Sequence, residues 1–284
     1  LAAIKPSSRY YWLRVLLENP AALLSICFLI IIFLLAIAAP LVARYDPEFL
    51  DPAVRLEGPS SEHWFGTDVV GRDVYARVIY GARISLLVGG CVMVGAAVIG
   101  SIVGLIAGYY QRIDTALMRV MDGLEAFPGI LLAIAIMATL GASTRNVIIA
   151  LIAIYTSNVA RLVRSTTLVN KNQLYVEAAR AIGMRDYQII GRYVYLNSLS
   201  PLIVQCTFIV AFAILAEASL SFLGAGVPPG VATWGNMVGR GQDYLEVSWW
   251  QAVFPGTALF LTVLAVNLIG DGLRDALDPR ARER

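Results

Sequence analysis

Two lysines, one histidine and three cysteines are all that 284 residues contain of these types, and only 15% of the chain is charged. Each scarcity excludes something. Neither Lys5 nor Lys171 follows a glycine, so there is no GxxxxGK(S/T) phosphate loop and no binding of ATP by that route. A lone His63 cannot make a histidine metal cluster. Cys27, Cys91 and Cys206 each lie inside an apolar run, where a thiol behaves as a small hydrophobe. Their scatter gives neither a disulfide framework nor a CxxC metal site. No HExxH or GxSxG occurs, and nothing points to an enzyme. A net charge of +2 without a basic run argues against a nucleic-acid partner.

What the chain has in plenty is apolar residues, at 58% with a mean hydropathy of +0.70. Soluble domains carry roughly 45–50%. The fold class expected is therefore all-α, a polytopic membrane protein. Charge-free stretches at 21–43, 84–111, 126–144, 146–160, 193–216 and 247–270 predict six membrane helices, each set against the roughly 20 residues needed to cross a bilayer. The fourth is the weakest. It has 15 residues between Arg145 and Arg161, whose side chains can snorkel to headgroups. The first is too long for the apolar segment of a signal peptide and reads as an uncleaved helix. A chain opening at Leu1 rather than Met is expected to have been trimmed.

Orientation follows from Lys and Arg. With both termini cytoplasmic, 15 of the 22 basic residues lie inside, including Lys5, Arg9, Arg14 and those from Arg161 to Arg192. The larger outer segments are then Arg44 to Arg83 and Gly224 to Glu246. Trp12, Trp64, Trp249 and Trp250 fall near expected interfaces, as an aromatic belt would. Gly100, Gly104 and Gly108 form a small-xxx-small face, suited to packing within the chain or against a second subunit. Pro128 and Pro255 sit near expected helix starts, where proline costs least. Glu125 and Glu217 are the acids within or beside the spans, and such acids are read as functional by default. The alternative for Glu217 is a hydrogen bond within the helix bundle. Thr67, Asp68, Arg72 and Asp73 read as an outer loop that meets a partner or as a structural network.

The unusual segment is "YVEAARAIGMRDYQIIGRYVYLN", 175–197. Tyr175, Ala178, Ala179 and Ile182 follow a helical period, Gly183 interrupts, and Met184, Tyr187 and Ile190 continue it. A helix–Gly–helix element on the cytoplasmic side is expected, either a membrane-surface helix or a plug for a soluble partner.

"EAARAIG" resembles the EAA loop of ABC-importer permeases, whose helix docks on the nucleotide-binding subunit. Four further segments, "HWFGTDVVGRDVYARVIYGARISL", "FPGILLAIAIMATLG", "AEASLSFLGAGVPPGVATWGN" and "NLIGDGLRDALDPR", resemble the second permease of dipeptide, oligopeptide and nickel importers. One departure is Leu196, where the family pattern has a proline after the second helix. The resemblance implies a multi-pass protein of the bacterial inner membrane with an N-terminal unit over 1–83 and a five-helix core over 84–284. The coupling loop falls at about 165–200, and Glu177, Ala178, Ala179, Ile182, Gly183 and Tyr187 face the ATPase. It implies as partners a homologous permease, two ATP-binding subunits that hold the ATP and Mg, an extracytoplasmic binding protein and the lipid bilayer, with no cofactor on this chain. Peptides are the expected cargo, with nickel, opines or other small solutes as alternatives. A stand-alone ion-coupled transporter is the competing class.

Overall fold

The computed structural model describes residues 11–277, the side chains of 11–14 excepted. Lys5, Arg9, Arg280, Arg282 and Arg284, and the side chains of Trp12 and Arg14, lie outside the described residues. Within them the chain is helical, with no strand. A short α1 (Tyr11–Glu18) leads to α2 (Pro20–Ile37), started by Asn19, whose Oδ1 accepts from the Ala21 and Ala22 amides, and by proline at the first helical position. α2 buries little of itself. Leu24, Phe33 and Ile37 are exposed, apolar surface suited to lipid.

The core is α3 (Val74–Tyr109) packed along α6 (Thr144–Asn170), the most extensive helix pair. Glycine makes that approach possible. A Cβ on Gly100 would lie 2.5 Å from the Val159 Cβ, one on Gly104 2.5 Å from the Ala160 carbonyl oxygen, and one on Gly108 2.6 Å from the Thr167 Cβ. The small-residue face therefore packs within the chain.

Between α3 and α6 lie α4 (Gln111–Glu125) and α5 (Gly129–Leu140), which meet at 88°. Pro128, extended at ψ 126°, sets the corner. After α6 come α7 (Leu174–Ala181) and α8 (Asp186–Phe222), a continuous helix with a π turn at Ile190–Tyr195. α9 (Trp234–Gly241) and α10 (Trp250–Leu277) finish the described chain. Val88, Val92, Leu151, Val159, Ile209 and Ala213 form the main core where α3, α6 and α8 meet.

Five helices are long and apolar enough to cross a membrane, and the α4–α5 pair makes a sixth only if taken together. The short span is thus not the expected fourth. Arg161 and Arg164 extend α6 to 27 residues because α4 carboxylates neutralise them, with Arg161 bonded to Asp122 at 2.9 Å and Glu125 at 2.7 Å. The third is the broken one: α5 alone reaches about 18 Å at 1.5 Å per residue, short of a hydrocarbon core of about 30 Å. The second span starts at Val74 rather than 84, so residue 83 lies inside α3. The charge of Arg77 inside α3 is met by the Pro47 carbonyl, to which it donates at 2.8 Å. Pro255 lies inside α10 rather than near its start.

Candidate coupling site

α7 and its exit turn are built by one local device. Ile182 closes the helix and Gly183 takes φ +84°, so the Gly183 amide donates to the Arg180 carbonyl at 2.9 Å. The Met184 amide donates to the Ala179 carbonyl at 3.1 Å. These two bonds are a Schellman cap, which satisfies free carbonyls at the helix end and reverses the chain into α8.

One face of this element holds it to the bundle. Val176, Ala179, Ile189 and Val194 are buried together with Leu105 and Tyr109 of α3 packed against them. Polar contacts fasten its edges. The Tyr109 hydroxyl donates to Asp186 Oδ1 at 2.7 Å, and the Arg180 guanidinium lies 5.5 Å from the Tyr109 ring centre. Lys171 Nζ donates to the Gly108 carbonyl at 2.6 Å. Below, Arg164 grips Asp114 with two bonds of 2.6 Å, tying α6 to α4.

The other face is bare. Leu174 is 82% exposed, Ile182 78% and Tyr187 65%, with Glu177, Ala178 and Gly183 exposed among them. Five of the six expected docking residues thus share an open surface. Ala179 does not. It is 3% exposed and points into the bundle, so its small side chain lets α7 sit close to α3. The period-based face of Tyr175, Ala178, Ala179 and Ile182 therefore straddles the inside and the outside. Leu174, adjacent to that pattern, is the exposed apolar residue it missed. Leu196, in the place of the expected proline, continues α8 as regular helix, and the proline inside α8 is Pro201.

At the other end of the bundle the loop 44–73 forms a network of its own, held to the start of α3 and to α10. Asp73 Oδ2 caps α3 by accepting from the Ala76 amide at 2.7 Å, while its Oδ1 pairs with His63 Nδ1 at 2.9 Å. Asp68 takes Arg72 Nε and Nη2, both at 2.7 Å. The Thr67 hydroxyl donates to the Val54 carbonyl. Trp250 is buried and donates to the Thr67 carbonyl at 3.0 Å, so it braces this network and is no belt residue. Trp64 and Trp249 are exposed. Glu217, fully buried at the end of α8, accepts from the Ser221 hydroxyl one turn on at 2.8 Å, a bond within the bundle. Glu125 is matched to Arg161.

A helical bundle with spans long and apolar enough to cross a membrane, and a capped amphipathic loop at one end, has the build of a multi-pass membrane permease. Residues 98–283 match the family described as the binding-protein-dependent transport system inner membrane component, and 10–59 match the N-terminal transmembrane domain of oligopeptide transport permease C. The chain belongs to the binding-protein-dependent inner-membrane permease family. It is 48% identical to a putative peptide transport system permease protein of Brucella abortus, over 95% of this chain and 91% of that one. It is 44% identical to a dipeptide transport system permease protein of Alkalihalophilus pseudofirmus, over 93% and 88%. A glutathione transport system permease protein of Pectobacterium atrosepticum is 41% identical over 99% and 93%. The fold is shared with the inward-facing MetNI methionine ABC transporter at a TM-score of 0.59 and 17% identity, covering 71% of this chain and 96% of that one.

Proposed function

We propose that this chain is one half of the pore of an ATP-driven peptide importer, paired with a homologous permease, driven by two ATPase subunits and fed by an extracytoplasmic binding protein. The observation that carries the reading is the bare apolar rim of Leu174, Ile182 and Tyr187 on a loop anchored to α3. A surface of this kind on a rigid mount suits a soluble partner whose movement must reach the bundle. The loop end, with its termini, faces the cytoplasm in this reading, because basic residues concentrate there. The relatives named for peptide, dipeptide and glutathione transport favour a peptide cargo.

The test is reconstitution. Proteoliposomes holding this chain, its partner permease and the ATPases should accumulate a labelled dipeptide only with ATP and the loaded binding protein. A cysteine placed at Ala178 should crosslink to the ATPase with a yield that changes with nucleotide. Uptake by the isolated chain down an ion gradient would instead make it an ion-coupled transporter.

A further inference from the structure

Where α3 ends beside the coupling loop, its last turn, the start of α4 and the end of α6 frame an open cavity of about 730 Å³. Three cations line it: Arg112 from α4, Lys171 just past α6 and Arg180 from α7. Tyr109, Tyr110 and Asn172 stand among them, and no carboxylate is in the lining. The acids next to it in the chain are used or lie outside. Asp114 is gripped by Arg164, with Lys171 acting on it as the lesser charge. Asp186 accepts from the Tyr109 hydroxyl, and Glu177 is exposed on α7. None of the three cations has an ion pair among the described residues. Two of them are nonetheless held in place, Lys171 by the Gly108 carbonyl at 2.6 Å and Arg180 over the Tyr109 ring.

Converging arginine and lysine donors suit an anion with several oxygens to share, and phosphate is such a group. The volume lies within the roughly 300–1,000 Å³ range of small-molecule pockets, room for a phosphoglycerol headgroup. What adjoins the cavity favours a lipid as the source. Val94, Val98 and Ile102, all exposed, form an apolar ridge at four-residue spacing on α3, and it leads to the exposed Tyr110 at the cavity. An acyl chain can lie along that ridge, for which a free phosphate has no use. Basic clefts at the ends of membrane helices are where anionic headgroups bind. We propose that this cavity holds the phosphate of an anionic phospholipid between Arg112, Lys171 and Arg180, with an acyl chain along the Val94–Ile102 ridge. A lipid seated there ties the mount of the coupling loop to the bilayer surface. Such a site needs the loop end to lie at a membrane surface and holds whether or not the chain serves an importer.

Native mass spectrometry of the full chain, with any subunits that copurify, can count bound lipids during titration with dioleoyl phosphatidylglycerol. Wild type should bind one phosphatidylglycerol more tightly than the rest, and more tightly than phosphatidylcholine. Arg112→Gln and Lys171→Gln should each weaken that site about fivefold, and together about thirtyfold. Arg112→Lys, which keeps the charge, should lose less, and glutamine at 171 can still donate to the Gly108 carbonyl. Thermal unfolding reports whether each variant is folded. Equal phosphatidylglycerol affinity for wild type and a folded double variant would overturn the proposal. So would equal affinity of wild type for phosphatidylcholine and phosphatidylglycerol, since the cavity would then be an apolar groove only. Inorganic phosphate or glycerol 3-phosphate binding as tightly as the lipid would overturn the lipid as the source. A site present in the chain alone but lost when other subunits are bound would give the cavity to a protein partner instead.

Discussion

Gly183 is the residue on which the coupling loop turns, and its replacement separates backbone geometry from side-chain packing. At φ +84° it occupies the left-handed region, and a Cβ built there meets nothing within 4 Å. A side chain at 183 would therefore clash with no neighbour, and its cost is conformational alone, about 1–2 kcal/mol for an ordinary L-residue. A change of that size alters the ratio of closed to open cap by roughly 5- to 30-fold. Asparagine tolerates the left-handed region, alanine less so, and a β-branched side chain least. The expected order of effect is thus Gly183→Asn, then Gly183→Ala, then Gly183→Val. It should be read as the loss of ATPase-coupled uptake in proteoliposomes, with membrane insertion unchanged. Modification of a cysteine at Met184, half-buried behind the cap, should rise in the same order. Wild-type uptake from Gly183→Val would refute the claim that this turn must be left-handed to function. Equal damage from Asn and Val would show that the side chain at 183 meets a partner surface rather than straining the turn.

In a background lacking Cys27, Cys91 and Cys206, a cysteine at Ile182 should react fast with a membrane-impermeant maleimide applied from the coupling-loop side, and one at Ala179 slowly. The reverse order would put α7 on the bundle by its other face. Gly104→Val should destabilise the bundle by about 1–3 kcal/mol through overpacking against Ala160 and Val163, seen as a lower unfolding temperature in detergent. Gly90→Ala, where a Cβ meets nothing within 4 Å, should be neutral or slightly stabilising. Breaking the paired bonds between Arg164 and Asp114 should loosen α4 from α6, and because both side chains keep some exposure, a double-mutant cycle on the two should give a coupling of about 0.5–1 kcal/mol.

The helical, membrane-spanning class was legible because long uncharged runs have one stable backbone solution in lipid. The ends of those runs were not. Val74 and Asn170 lie beyond the charge-free windows because Arg77, Arg161 and Arg164 find partners from distant segments, Pro47, Asp122, Glu125 and Asp114. A window along the sequence sees the charge and not the partner. The helix–Gly–helix element was legible in type and in its glycine, since a positive φ favours that residue. Which way α7 rolls was not: Val176 and Ala179 point inward to meet Leu105 and Tyr109, which are some 70 residues earlier in the chain.

α8 begins where the coupling loop ends and runs for 37 residues, about 55 Å at 1.5 Å per residue. Gly89 of α3 lies so near it that an added Cβ would be 2.9 Å from Ile214 and 3.2 Å from Val210, so a tilting α8 would pivot close to residue 212. The arms on either side are then about 39 Å and 15 Å. A tilt of roughly 10°, the scale of rigid-body rotations in switching proteins, would carry the loop end about 7 Å and the Phe222 end about 3 Å. Such a helix would be a reduction gear of between two and three to one. Under the importer reading, a wide stroke at the coupling loop would become a short one at the opposite end, where Glu217 and Ser221 lie one turn apart.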